Sequence, residues 1–248
     1  MKRAFIRVVY GNCIESSRLN SEIKNIIAHP LTRFFITYVY GEDNYKYLKS
    51  LGVDHCTSLK LVSKNPWEWP NLIGLRHKIE SYRIAMEDDG YDEIVFLDWD
   101  TLPTRELDSD FWDILGRKKE FQAPLYTLKW HISPWRRGHE WKKKAWVNKG
   151  SRTTINTNFF YIRDKTIPSR IIEAWETMGS IKYQGRHLQE NDEQATCYFV
   201  DTLYNGWIGQ DNWWEWHEPM VANVTKKSSY SDKLLKTKQQ YFLHEWYN

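Results

Sequence analysis

The sequence predicts an α/β protein in which helices flank a central, mostly parallel β-sheet. Short strand-like runs alternate with amphipathic helical patterns along the chain, and that alternation is typical of βαβ units. A chain of 248 residues is long enough to form one large domain. Its hydrophobic and charged fractions, 41% and 27%, are ordinary for a soluble globular protein.

The elements of the first half are placed by their periodicity and by the residues at their ends. The first helix stops before Pro30, and the second stops at Gly52. In chain order, we expect a strand at 4–10, a helix with Leu19, Ile23, Ile26 and Ile27 on its apolar face, a strand at 33–40, a short helix from Glu42, and a short strand within 53–62.

A longer helix comes next and is followed by a buried strand. Asn71 is suited to cap this helix, and Gly90 is suited to end it. The apolar run 94–97 then has the character of a buried strand. Apolar residues at helical spacing form the buried face of the helix: Leu72, Leu75, Ile79, Tyr82 and Met86.

Two carboxylates, Asp98 and Asp100, follow this strand. Because residues i and i+2 of a strand point to the same side, both are expected to aim at one point while Trp99 faces the other way. Carboxylates at the carboxyl end of a buried strand suit a hard divalent cation, and ligands of open α/β sheets bind at those ends. The alternative is an acidic turn that closes the strand, with both carboxylates solvated.

The second half has weaker patterns. Asn191 and Gln194 have the spacing of a capping box, so Asp192 and Glu193 fall in a first helical turn, where the helix dipole favours negative charge. The other predicted elements are a helix at 110–115, a strand at 121–126, a strand at 153–163 with Asn156 and Asn158 on one face, and a helix that starts at 166–168.

The segment 130–152 interleaves lysines and arginines with tryptophans. Three interpretations of it stay open: a platform for single-stranded nucleic acid, a mobile basic loop over a diphosphate or an anionic acceptor, and an exposed insertion without a specific role. The net charge of +3 does not demand a nucleic-acid partner, and we expect none.

Several functional classes are disfavoured by what the sequence lacks. It has no Gly-x-Gly-x-x-Gly pattern and no Gly-Lys-Ser/Thr phosphate loop, which argues against a dehydrogenase and a P-loop NTPase. It has no apolar run of about 18 residues, so we expect no membrane anchor. Three widely spaced cysteines predict a reducing compartment. We therefore expect a soluble, cytoplasmic protein.

The strand-borne Asp98-Trp99-Asp100 resembles the Asp-x-Asp motif of the GT-A glycosyltransferases, which use nucleotide sugars. In the order of its strands and helices, nearly the whole chain shares this resemblance. It implies a single GT-A domain over 1–248, with a nucleotide-binding half at 1–104 and a sugar and acceptor half at 105–248. The chain also looks like compact enzymes of bacteria and of large DNA viruses, the chlorovirus type, which implies the host cytoplasm.

The resemblance implies a hexosyltransferase that uses a UDP-sugar donor and a hydroxyl group of a glycan or glycoprotein as acceptor. It implies a divalent cofactor, Mn²⁺ or Mg²⁺, with Asp98, Asp100 and His244 as ligands, although Asp98 would contact either the metal or the ribose. A histidine near the end of the chain is similar to the third metal ligand of retaining enzymes, and so implies retention.

The same resemblance implies the remaining site residues. Of the two basic residues on the helix before the motif, Arg76 is predicted to reach the diphosphate and Lys78 is the other candidate; the alternative for both is a solvated charged face. Asp192 or Glu193 would act as the catalytic carboxylate. The nucleotide is expected at Tyr10, Gly11, Asp98 and Trp99, and the sugar at Asn156, Asn158 and Asp192.

Two other functions stay open. A non-catalytic carbohydrate-binding protein would use the 14 tryptophans as flat stacking surfaces. A metal-dependent phosphodiesterase or nuclease would grip nucleic acid with the basic segment, and its binding would depend steeply on salt.

Overall fold

A computed structural model of the chain confirms the α/β class, with helices on both faces of a central sheet. The structure describes residues 1–11, 14, 17–30, 35–60, 73–99, 101–116, 120–123, 125–127, 153–155, 157–180, 182–183, 186–187, 195–196, 199, 221–225 and 242–246.

The described elements include those predicted for the first half, in the expected order and with ends within a few residues of those expected. They are β1 Arg3–Val9, α1 Ser17–Ala28, β2 Ile36–Tyr40, α2 Glu42–Ser50, β3 Cys56–Leu59, α3 Ile73–Arg83 with a π-helical turn Ile84–Asp88, β4 Glu93–Leu97, β5 Thr101–Pro103, α4 Ser109–Gly116, β6 Phe121–Gln122, β7 Leu125–Thr127, β8 Thr153–Ile155, β9 Phe159–Ile162, α5 Ile167–Ser180, β10 Lys182–Tyr183, β11 Arg186–His187, β12 Val221–Thr225 and β13 Phe242–Trp246.

The central sheet has six strands in the order β3-β2-β1-β4-β9-β6. Neighbours from β3 to β4 are parallel, whereas β9 runs antiparallel to both β4 and β6. Strand β4 is buried along its whole length and β1 along nearly all of it, as expected when both faces of a parallel sheet are covered. The carboxyl ends of β1, β2 and β4 therefore meet at one edge.

Aromatic rings fill the core on both faces of this sheet. On one face, Tyr82 of α3 packs against Phe96 and Phe160, with ring centroids 5.0 and 5.5 Å away. On the other face, Phe5 lies 5.0 Å from Trp112 of α4, centroid to centroid. These contacts bury β1 and β4 and hold their carboxyl ends in place.

Two strands predicted as continuous are divided in the structure, so those predictions are wrong. The run 121–126 forms β6 and β7, which belong to different sheets; Pro124 stands between them and lacks the amide that a continuing ladder needs. The run 153–163 forms β8 and β9, with a turn at Thr157 and Asn158. Strand alternation therefore does not place Asn158 on a face shared with Asn156.

A second sheet has the order β12-β13-β5. Strand β13 runs parallel to β12 and antiparallel to β5, which joins the end of the chain to the segment directly after β4. Among the described helices, none has both the length and the apolar character that a membrane span requires.

Candidate active site

The acidic turn, described here by Asp98, Trp99 and Thr101, follows β4 at the carboxyl edge of the central sheet. Strand β4 ends at Leu97, so strand alternation does not extend through the turn as the sequence suggested. The amide of Thr101 donates to the carbonyl of Asp98 at 3.1 Å, and the amide of Asp98 donates to the carbonyl of Asn158 at 2.9 Å. The Asp98 side chain is 33% exposed, which leaves its carboxylate accessible from solvent.

Lys78 of α3 is the cation that lies against Asp98. Its Nζ is 3.0 Å from Oδ1 and 3.2 Å from Oδ2 of that carboxylate, and it donates to the carbonyl of Thr157 at 3.3 Å. The lysine side chain is only 5% exposed, so its interpretation as part of a solvated face is wrong. Burying an ammonium group is costly unless it is paired, and here the carboxylate supplies the partner.

Arg76, the predicted diphosphate residue, points toward α5 instead. Its guanidinium lies 3.2 Å from the carboxylate of Glu176 and 3.6 Å from that of Glu80. Two residues along a helix differ by about 200° in direction, which is why Arg76 and Lys78 reach different surroundings. The basic residue that the fold brings to Asp98 is therefore Lys78.

Trp99 turns away from Lys78 and packs on the end of β1. Its indole Nε1 donates to the carbonyl of Val8 at 2.7 Å. The ring packs against a small cluster that includes Val9, Ile23 and Leu48, contributed by β1, α1 and α2. The half-buried indole thus ties the acidic turn to the first strand.

The end of β1 carries Tyr10, one of the residues predicted to bind the nucleotide. Its ring centroid is 5.9 Å from that of His77, which lies 4.1 Å from the ring of Tyr40. Burial raises the pKa of the Tyr40 phenol well above its usual range, so this ring stays neutral. The three rings form an aromatic cluster where β1 and β2 end beside α3, in which His77 and Tyr40 are buried and Tyr10 is partly exposed.

Gly11, also predicted for the nucleotide, has a positive φ of 73°. Residues with a Cβ atom rarely adopt that conformation, so glycine lets the chain turn directly after β1. The side-chain amide of Asn44 donates to the carbonyls of Gly11, at 2.7 Å, and Tyr40, at 2.9 Å. Asn44 therefore joins the ends of β1 and β2 at the same edge as the acidic turn.

Strand β13 brings the backbone of His244 to this edge. In the pairing of β13 with β5, His244 is opposite Thr101, the residue that follows Asp100 in the sequence. Paired residues of antiparallel strands have Cα atoms about 4.5–5.5 Å apart. Phe242 anchors the strand, with its ring 5.6 Å from Phe111 and 5.5 Å from Phe159, centroid to centroid.

Several predicted site residues lie outside the part of the chain that the structure describes: Asp100, Asn156, Asp192 and Glu193. Asn158 is described and is 2% exposed, and its carbonyl rather than its side chain is the group seen to hold Asp98. Within the described residues there is no cluster of three or more His, Cys, Asp or Glu side chains suited to a metal ion.

The architecture is shared with solved structures, although neither a family model nor a characterised protein matches the sequence. The chain aligns with mouse xyloside xylosyltransferase 1 over 98% of its own length and 97% of that protein, with a TM-score of 0.56 and 11% identity. A mutant of LgtC aligns over 98% and 88%, with a TM-score of 0.51 and 14% identity. A glycosyltransferase involved in glycosylation of the major capsid of PBCV-1 aligns over 97% and 93%, with a TM-score of 0.50 and 10% identity.

The chain has the GT-A fold. This confirms the predicted architecture, since these neighbours are matched over nearly their whole lengths. At such low identity the likeness establishes the fold and leaves the activity to be argued from the site.

Sequence reasoning ranks Lys78 only second, after Arg76, and does not single out Arg7. The signal for Lys78 was its position between apolar Leu75 and Tyr82, three residues before it and four after, which places it on the inner side of α3. The signal for Arg7 was its place between Phe5 and Val9 on one face of a buried strand.

Proposed function

We propose that the protein is a metal-dependent glycosyltransferase that moves a hexose from a UDP-sugar to a hydroxyl group of a glycan or glycoprotein. The observation that carries this proposal is the side chain of Asp98, one-third exposed and paired with the buried ammonium of Lys78, at the carboxyl edge of a GT-A sheet. Ligands of open α/β folds bind at that edge.

The proposed metal ligands are Asp98, Asp100 and His244. Carboxylate oxygens and an imidazole nitrogen form a donor set that suits Mn²⁺ and also accepts Mg²⁺. The accessible carboxylate of Asp98 and the position of the His244 backbone beside Thr101 fit such a set. A bound divalent ion would offset the negative charge that develops on the leaving diphosphate.

For the diphosphate we propose Lys78 in place of Arg76. The ammonium of Lys78 is held at the carboxylate edge, whereas the guanidinium of Arg76 is engaged by Glu80 and Glu176. A cation fixed in a buried position needs little reorganisation when charge builds on a leaving group. Lys78 would thus orient Asp98 and add positive charge beside the donor.

The base and ribose are proposed to bind at Tyr10 and Gly11, beside Trp99. The Tyr10 ring is partly exposed and packs against the buried His77, which supports it as a fixed ring on which a base could stack. For the sugar we propose Asn156, Asn158 and Asp192, and for the catalytic carboxylate Asp192 or Glu193.

The proposal also covers the stereochemistry of transfer, the origin of the enzyme and the donor sugar. Retention of the anomeric configuration and a viral, chlorovirus-like origin are proposed from the sequence, and one structural neighbour acts in the glycosylation of a viral capsid. Another neighbour is a xylosyltransferase, so UDP-xylose belongs in any donor screen beside the UDP-hexoses.

The test is calorimetric titration of UDP into the protein with and without Mn²⁺, with GDP and CMP as competing nucleotides. We expect UDP to bind only with the metal, and Asp98→Asn to weaken that binding by at least about tenfold. Asp92→Asn is the matched control, because it removes the same charge from an exposed site at the opposite end of β4. If UDP binds as expected, the wild type and both variants are then assayed for hydrolysis of UDP-sugars and for transfer of the sugar.

Two outcomes would contradict the proposal. One is UDP binding that is absent with Mn²⁺ present, or no tighter than GDP and CMP binding. The other is a folded Asp98→Asn protein that binds UDP and Mn²⁺ as the wild type does. Either result would favour the alternative of a non-catalytic carbohydrate-binding protein.

A further inference from the structure

Arg7 is the one arginine in the middle of β1, and it is 1% exposed. Its neighbours on the same strand face, Phe5 and Val9, are apolar core residues. A guanidinium stays charged at any physiological pH, and placing it in a protein core is unfavourable unless specific contacts offset the lost hydration. Its contacts therefore indicate what it does.

Those contacts lead to the acidic turn. The Nη2 atom of Arg7 donates to the carbonyl of Thr101 at 3.0 Å. The guanidinium lies over the ring of Trp99 at 5.4 Å and over the ring of Phe35 at 4.6 Å, within the range of cation–π attraction. The next residue of β1, Val8, accepts the hydrogen bond from the Trp99 indole at 2.7 Å.

The two residues that flank Asp100 in the sequence are thus both tied to β1. Trp99 precedes Asp100 and is bound to Val8, and Thr101 follows it and is bound to Arg7. The amide of Asp98, at the start of the turn, is bound from the other side by the carbonyl of Asn158. The turn is therefore anchored on two sides.

We propose that Arg7 is a positioning residue that fixes the acidic turn against β1, so that the Asp98 carboxylate is preorganised to hold a divalent cation with a nucleoside diphosphate. The part of this inference that concerns the cation and the nucleoside diphosphate rests on the proposed function. A ligand set held in place before binding loses less conformational freedom when the ligand arrives. The planar guanidinium both stacks on Trp99 and donates to Thr101, which a lysine could not do together.

The first measurement is hydrogen exchange at the amide of Thr101, in the wild type and in Arg7→Met, without any ligand. This amide donates to Asp98 within the turn, so its exchange reports opening of the turn. We expect it to exchange about tenfold faster in the variant, because the turn loses the hydrogen bond from Arg7 to the Thr101 carbonyl, while β4 amides stay protected. Arg3→Met is the matched control, because Arg3 lies on the same strand face but binds Glu93 at the far end of the sheet. Equal exchange at Thr101 in the wild type and in Arg7→Met would overturn the proposal.

The second measurement is the dissociation constant of UDP in the presence of Mn²⁺. Arg7→Met is expected to raise it about tenfold, Arg7→Lys to give an intermediate value, and Arg3→Met to leave it within about twofold. A folded Arg7→Met protein with wild-type affinity, or an equal loss in Arg3→Met, would contradict a positioning role. If Arg7→Met does not fold, Trp99→Phe breaks the other anchor and is expected to speed exchange at the Thr101 amide without ligand, a readout that does not involve nucleotide binding.

The two measurements separate the two proposals. Faster exchange at Thr101 together with no UDP binding by the wild type would mean that Arg7 anchors the turn while the proposed function is wrong. Metal-dependent UDP binding that is insensitive to Arg7→Met would mean that the function stands and the role of Arg7 is wrong.

Discussion

At the residue level, the ion pair of Lys78 with Asp98 joins a buried cation to a carboxylate that is one-third exposed. The attraction is weakened on the carboxylate side by solvent, but the lysine depends on it, because an ammonium left alone in a buried site loses its hydration without compensation. The pair therefore orients Asp98 more than it stabilises the fold.

Replacement of Lys78 distinguishes it from Arg76. We expect Lys78→Met to lower kcat/KM for the UDP-sugar by about 100-fold, the size seen when one preorganised charge at a developing anion is removed. Arg76→Met is expected to change it less than about threefold, since the Arg76 guanidinium pairs with Glu80 and Glu176 rather than with Asp98. Steady-state kinetics on both purified variants, with thermal melting to confirm folding, checks the prediction. Equal losses in the two variants would argue against the assignment of Lys78.

At the level of elements, β13 depends on one buried ring. Phe242 is fully buried and contacts Phe111 of α4 and Phe159 of β9, so it connects the second sheet to the main core. Because His244 lies on the same short strand, the packing of Phe242 also sets where the end of the chain meets the acidic turn.

Truncation of this ring should be costly. Phe242→Ala is expected to lower the free energy of unfolding by about 3–5 kcal/mol, the range for a buried phenylalanine that leaves a cavity. Urea unfolding followed by fluorescence measures the change. Ile14→Ala, at an exposed site, serves as the control and should cost less than about 0.5 kcal/mol. A loss for Phe242→Ala as small as that of the control would mean that β13 is not packed on the core.

At the level of the whole molecule, three buried phenols link stability to alkaline pH. Burial is the main cause that raises the pKa of Tyr38, Tyr40 and Tyr161 above the usual value of 10.0; Asp89 adds to the effect at Tyr38 and Glu93 at Tyr161. The folded protein therefore retains protons that the unfolded chain releases. Their contribution to stability is fully present below the unfolded pKa and is lost as the pH rises above it.

The free energy of unfolding should thus fall above about pH 10. Each such tyrosine contributes a slope of up to about 1.4 kcal/mol per pH unit, and Tyr38→Phe should remove one of the three contributions. Urea unfolding at a series of pH values, with phenolate absorbance as a second signal, provides the test. A stability that stays constant between pH 10 and 11.5, about one and a half units above the usual pKa, would contradict it.

The sequence by itself determined the α/β class, most strand and helix positions of the first half, and the position of Asp98 at the end of β4. These features could be predicted because burial imposes a period of two on strands and of 3.6 on helices, and because glycine is a strong local signal for the end of a strand or helix. The two runs predicted as single strands, 121–126 and 153–163, are each divided in the structure. The first division falls where Pro124 stands in the sequence and the second at the turn of Thr157 and Asn158, and strand alternation marks neither.

Tertiary structure alone decided which charged side chains meet at the site. Arg7 and Thr101 are 94 residues apart, and Lys78 and Asp98 are 20 apart on different elements. The register of β13 against β5 likewise depends on the packing of Phe242. Local periodicity shows that a side chain faces inward but not what it meets there, because that partner is set by how distant elements pack together.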